Sequence, residues 1–152
     1  MLKLLCSLLL PASLLAQAAH YRMSEPVALN DLNVTPGTVR QVTKDDLCPR
    51  AHTRKIRHVT KAMKIQVCGF YGVFPEMCNG KNYEIDHLVA LEDGGNNSLL
   101  NLWPQPIKQA RIKDRLENRV HKEICKRRMT VVQAKECLAL DWWECAQHLG
   151  IN

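Results

Sequence analysis

The chain has 152 residues, a formal net charge of +6 and 46% hydrophobic residues. That length suits one domain, and an apolar share so close to the globular average excludes wholesale disorder. The basic balance points to a polyanionic partner or an anionic surface and leaves the fold open.

Met1-Leu2-Lys3 precedes a leucine-rich run from Leu4 to Leu15, which Ala16-Gln17-Ala18 closes. A basic start, a short apolar stretch and an A-x-A end predict a secretory signal peptide over residues 1–18, cleaved after Ala18. The apolar run is about a dozen residues, whereas a membrane-spanning helix needs about 20. A secreted or periplasmic protein with no stable membrane association after cleavage is therefore expected. Removing Cys6 leaves Cys48, Cys68, Cys78, Cys125, Cys137 and Cys145. An even set in an oxidising compartment predicts disulfides, with the pairing left open. Zinc is the competing reading, weakened by the lack of any C-x-x-C pair.

Residues 19–56 are polar, with Pro36-Gly37 and scattered Asn and Asp, and predict an extended or loosely ordered arm ahead of a domain at 57–150. A helix is expected from Thr60, as N-cap, to Phe70, with Ala62, Met63, Ile65 and Val67 as its apolar members. Pro75, Asn79 and Gly80 then give loop chemistry. Tyr83 to Leu91 reads as a strand, Asp93-Gly94-Gly95-Asn96-Asn97 as turn residues, and Asn101 to Pro106 as a second extended piece. A long helix should follow from Lys108 to Arg127. On it Ile112, Leu116, Val120 and Ile124 form an apolar stripe, and Arg111, Arg115, Arg119, Lys122 and Lys126 a separate basic one. Lys113 falls inside the apolar arc, where a lysine must be paired or snorkel outward. A last helix starts at Thr130, with Gln133 completing a capping box, and runs to near Gly150. Val132, Cys137, Leu138, Trp142 and Trp143 are its expected packing residues. The elements together predict an α+β, mainly helical fold, stapled by disulfides.

The chemistry concentrates between Asp86 and Glu117. Phosphodiester hydrolysis needs a base for water, a divalent cation against phosphoryl charge, and cationic side chains on the flanking phosphates. A histidine suits the first role at neutral pH, and a neighbouring carboxylate suits a hard cation. Successive strand residues point to opposite faces, so Asp86 and His87 converge on one phosphate only if the strand breaks there. His52 and His58, with Arg50, Arg54, Lys55 and Arg57, form a second basic cluster that a solvated loop would explain.

The ordered series Glu84-Ile85-Asp86-His87-Leu88, Gly94-Gly95-Asn96-Asn97, Asn101-Leu102-Trp103-Pro104-Gln105-Pro106 and Ala110-Arg111-Ile112-Lys113-Asp114-Arg115-Leu116-Glu117 resembles the HNH endonucleases. It is most similar to an exported bacterial branch with an N-L-W-P-Q-P segment followed by a K-D-x-x-E helix. The resemblance implies a ββα-metal finger that grips one divalent cation, Mg²⁺ first, with Mn²⁺, Zn²⁺ or Ni²⁺ tolerated. It implies His87 as general base, Asp86 as metal ligand, and Asn101 as the residue that holds the loop between the strands. Lys113 matches a phosphate contact and Glu117 a site support. The sequence departs from the general HNH pattern at its third position, near Gln109 or Ala110, where no histidine stands. Asp114, His121 and Gln109, in that order, are the candidates for the second protein ligand. Arg111, Arg115, Arg119 and Lys122 are the candidate nucleic-acid contacts, with DNA ahead of RNA as partner. The alternatives are a catalytically inactive binding module of the same fold and a small secreted disulfide-rich scaffold.

Overall fold

The computed structural model describes residues 21–49 and 53–152. The expected signal peptide at 1–18, together with Arg50 and His52 of the second basic cluster, lies outside the described residues. Among the described residues the chain is α+β, with two antiparallel hairpins, six helices and three disulfides.

Residues 21–49 do not form the loosely ordered arm expected of a polar stretch. Strands β1 (Arg22–Ser24) and β2 (Val27–Leu29) make a hairpin, and a single turn of helix, α1, follows at Lys44–Leu47. Val27, Leu29 and Leu47 are buried in the common core. The composition of the segment hid this, because its apolar side chains are scattered among polar ones; Tyr21, Val34, Val39 and Val42 also pack against that core. Arg22 ties the hairpin to the far end of the chain by donating to the Ala139 and Leu140 carbonyls. The Cys48–Cys125 disulfide does the same for the end of α1, across 77 residues.

A second single turn, α2 (Thr53–Ile56), precedes α3 (Lys61–Phe70), whose N-cap is Thr60, accepting from the Met63 N–H. Only Val67 and Cys68 of α3 are buried, and Cys68 is joined to Cys78 in the loop that follows. Strand β3 (Tyr83–His87) then pairs antiparallel with β4 (Leu102–Pro106), with Asp86 opposite Trp103 and His87 opposite Leu102. The expected strand to Leu91 stops four residues early. After His87 the chain turns away through two short 3-10 turns, Leu91–Asp93 and Leu99–Asn101, before re-entering as β4.

Helix α4 (Ile107–Cys125) leaves β4 directly and lays Leu116, Val120 and Ile124 into the core. The expected single C-terminal helix is two. Thr130 caps α5 (Val131–Ala139) through the expected box with Gln133, and Asp141 caps α6 (Trp142–His148) by accepting from the Trp143 and Glu144 N–H groups. The break follows from Asp141, whose short carboxylate serves a helix start better than a helix interior. It allows Cys137 to reach Cys145, buries Leu138 and Trp142, and turns Val132 out to solvent, against the expectation for that residue. Among the described residues no helix is long and apolar enough to cross a membrane.

Candidate functional site

The hairpin β3–β4, the loop between its strands and α4 converge on a cleft of about 130 Å³ whose lining includes Asp86, His87, Glu92, Glu117, Thr53 and Arg57. The loop owes its shape to Asn101. Its Oδ1 accepts from the Val89 N–H at 3.0 Å and from the Thr38 N–H at 3.3 Å. Its Nδ2 donates to the carbonyls of Val89 at 3.0 Å and Asn96 at 2.9 Å. Every donor and acceptor position of this buried amide is thus engaged. Gly95 is required at the base of the same loop, since a Cβ there would lie 1.8 Å from the Val89 carbonyl oxygen.

Because the strand ends at His87, its ring and the Asp86 carboxylate both reach the cleft, although they leave the chain on opposite sides. Asn97 fixes the ring. Its Nδ2 donates to the Ile56 carbonyl at 2.8 Å and its Oδ1 accepts from the His58 N–H at 3.0 Å, which settles the orientation of the amide. The same Oδ1 lies 3.0 Å from His87 Nε2. An oxygen must be met by a proton, so Nε2 carries it in the neutral ring and Nδ1 keeps its lone pair. Nδ1 is buried and has no hydrogen-bond partner. Burial holds His87 below its ordinary pKa; the Arg57 and Lys113 cations push the same way, against Asn97 and Asp86. The ring is therefore neutral at neutral pH, the state a base requires.

Lys113, on α4, is 1% exposed and sits beneath both residues. Its Nζ donates to Asp86 Oδ2 at 2.8 Å, to the His87 carbonyl at 3.1 Å and to Glu117 Oε1. An ammonium has three donors, and all three are used. The expected phosphate contact through Lys113 is thus displaced by a positioning role, and Glu117 completes the same network. Burial works against the Lys113 charge, but the Asp86 and Glu117 carboxylates more than offset it and hold the ammonium. Burial drives Glu117 well up, with Lys113 opposing and Asp86 reinforcing.

The three candidates for a second metal ligand separate clearly. The Gln109 amide pairs with the backbone of Ala28 and belongs to the fold. His121 faces away from Asp86, with Nδ1 at 3.0 Å from the Glu92 carbonyl and 3.6 Å from buried Asp93. Asp114 is exposed on α4 and does not line the cleft, yet it shares the field of Asp86. Burial and the Asp86 charge raise Asp114, and burial with both of these carboxylates raises Glu84. Among the described residues no three His, Cys, Asp or Glu side chains come together as a metal-binding group. Asp86 and Asp114 are thus two carboxylates in one field, and Lys113 already engages Oδ2 of Asp86.

The basic stripe of α4 is exposed as expected, but at 3.6 residues per turn Arg111, Arg115, Arg119 and Lys122 lie on the far side of the helix from Lys113 and Glu117. Arg119 pairs with Glu123 at 3.0 Å, and Arg115 donates to the Asn152 carbonyl. The cation at the cleft is Arg57, which the sequence placed in an ordinary basic loop. No periodicity marks it, because it arrives from a separate turn held there by Asn97. Trp103 and Trp142 are fully buried in the core.

Compared with known proteins, the chain matches no family model, no curated protein and no solved structure.

Proposed function

We propose that this chain is a metal-assisted endonuclease of the HNH type, exported, which hydrolyses phosphodiester bonds of nucleic acid, DNA ahead of RNA. The observation that carries the reading is the neutral His87, tied through Nε2 to Asn97, with a buried and unpartnered Nδ1, in a residue that lines one cleft together with Asp86. In this reading β3, β4 and α4 are the ββα finger. His87 Nδ1 takes the proton of an attacking water, and Asn101 keeps the loop that carries the ring from relaxing. Asp86 and Asp114 would hold the divalent cation, Mg²⁺ first with Mn²⁺, Zn²⁺ or Ni²⁺ tolerated. When bound, the cation neutralises charge on the phosphoryl oxygens. Lys113 and Glu117 position the Asp86 carboxylate and the His87 backbone. The outward stripe of Arg111, Arg115, Arg119 and Lys122 supplies long-range attraction for a polyanion rather than a contact to the scissile phosphate. The leader sequence and the three disulfides support export.

One observation favours a second reading, a nucleic-acid-binding module without catalysis: the Lys113 ammonium already neutralises one oxygen of Asp86. A digest of plasmid, single-stranded DNA and RNA with Mg²⁺ or Mn²⁺, against EDTA controls, separates the two. Cleavage that EDTA abolishes supports the nuclease. Salt-sensitive binding with every substrate intact supports the module.

A further inference from the structure

Arg57 lines the cleft with His87, and its guanidinium makes no hydrogen bond or ion pair among the described residues, although its backbone N–H donates to the Thr53 carbonyl. The residue is exposed, and the cleft that it lines also carries Asp86, Glu92 and Glu117. Its place is set from both sides of the chain. The Asn97 side chain donates to the carbonyl of Ile56 and accepts from the N–H of His58, so one amide grips the residues before and after Arg57. The oxygen of that amide also holds the His87 ring. The His87 ring and the backbone on either side of Arg57 therefore share one anchor. The cleft itself is small. At about 130 Å³ it falls well below the roughly 300–1,000 Å³ of pockets that enclose a drug-sized ligand. A flipped nucleobase needs an enclosing pocket with stacking walls and edge contacts. This lining offers a fork of N–H donors, which matches a phosphate.

From this we propose that Arg57, set in place by Asn97, holds the substrate phosphate next to His87, and that the cleft admits the sugar–phosphate backbone and no base. The assignment rests on the nuclease reading of the same cleft and adds its substrate-holding residue and its indifference to sequence.

The test is steady-state cleavage of fluorescent oligonucleotide duplexes by wild type, Arg57→Ala, Arg57→Lys and Asn97→Ala, with binding measured in a His87→Ala background. Arg57→Ala is expected to raise KM about tenfold or more with little change in kcat, as loss of a charge-assisted hydrogen bond would. Arg57→Lys restores part of that loss. The slope of log affinity against log salt falls by about 0.9 when Arg57 is removed, one phosphate contact's worth. Asn97→Ala raises KM and lowers kcat together, whereas a mere loss of folded protein lowers apparent kcat alone. Duplexes of unrelated sequence are cut at similar rates. An active wild type whose KM and salt slope ignore Arg57→Ala overturns this assignment, as does cleavage confined to one sequence. A wild type inactive on every substrate overturns the nuclease reading instead, and the salt slope of binding still reports on Arg57.

Discussion

Lys113 Nζ lies 2.8 Å from Asp86 Oδ2, and this buried pair joins α4 to the last turn of β3 directly beneath His87. Removing the ammonium leaves the Asp86 and Glu117 carboxylates facing each other without a counter-charge. Lys113→Met is therefore expected to cost about 3–5 kcal/mol of stability, the usual penalty for stripping one partner from a buried ion pair. Urea unfolding measures it. A loss below about 1 kcal/mol would place the pair among surface bridges and contradict its structural role.

Asn101→Ala tests the loop. The substitution deletes all four side-chain hydrogen bonds and strands the buried Val89 N–H and carbonyl. With about 1 kcal/mol net for a typical bond and up to about 3 kcal/mol for a buried group left unpaired, a loss of about 2–4 kcal/mol is expected. Amide exchange at Val89 should accelerate more than exchange in the core of α4, because the opening is local. Equal acceleration at both sites would mean that Asn101 supports the whole fold and not the loop.

Much of this was legible in the sequence, for identifiable reasons. The stripe of Leu116, Val120 and Ile124 located α4 to within two residues at either end, because a helix of five turns repeats its signal. The Thr130–Gln133 box marked the start of α5 since capping is a local contact. Lys113 inside the apolar arc had either to be paired or to snorkel outward, and two carboxylates pair it. What stayed hidden depends on distant residues. The β1–β2 hairpin packs on elements far along the chain, so its polar composition read as a loose arm. The break at Asp141 sits in a pattern whose apolar spacing survives it. Arg57 reaches the cleft through Asn97, forty positions later, and no local motif encodes such a bridge.

The Asp93–His121 pair gives a pH dependence whose sign is fixed. Burial raises the Asp93 carboxyl to about 6, and the Asp93 carboxylate beside it raises His121. An acid with a raised folded pKa destabilises the fold once it ionises, and a histidine with a raised pKa loses its contribution as it deprotonates. The Asp93 loss accrues as pH rises from about 4 to about 6, and the His121 contribution goes as pH rises past about 6.5, so both weaken the fold in the same direction. Asp93→Asn is therefore expected to gain on wild type between pH 4 and pH 8, by about 2 kcal/mol from a shift of about two pKa units. Paired denaturation curves at the two pH values report it. An unchanged difference between the two proteins would show that Asp93 is solvated in the folded state.

The most direct test of the account is the rate of plasmid hydrolysis by wild type and by His87→Ala, each with native disulfides and matched circular dichroism, in Mg²⁺. Wild type should nick the plasmid and stop in EDTA, while His87→Ala should lose about two to four orders of magnitude, the share a positioned proton acceptor contributes. A folded His87→Ala protein that cuts at the wild-type rate would contradict the assignment of the free Nδ1 as the base.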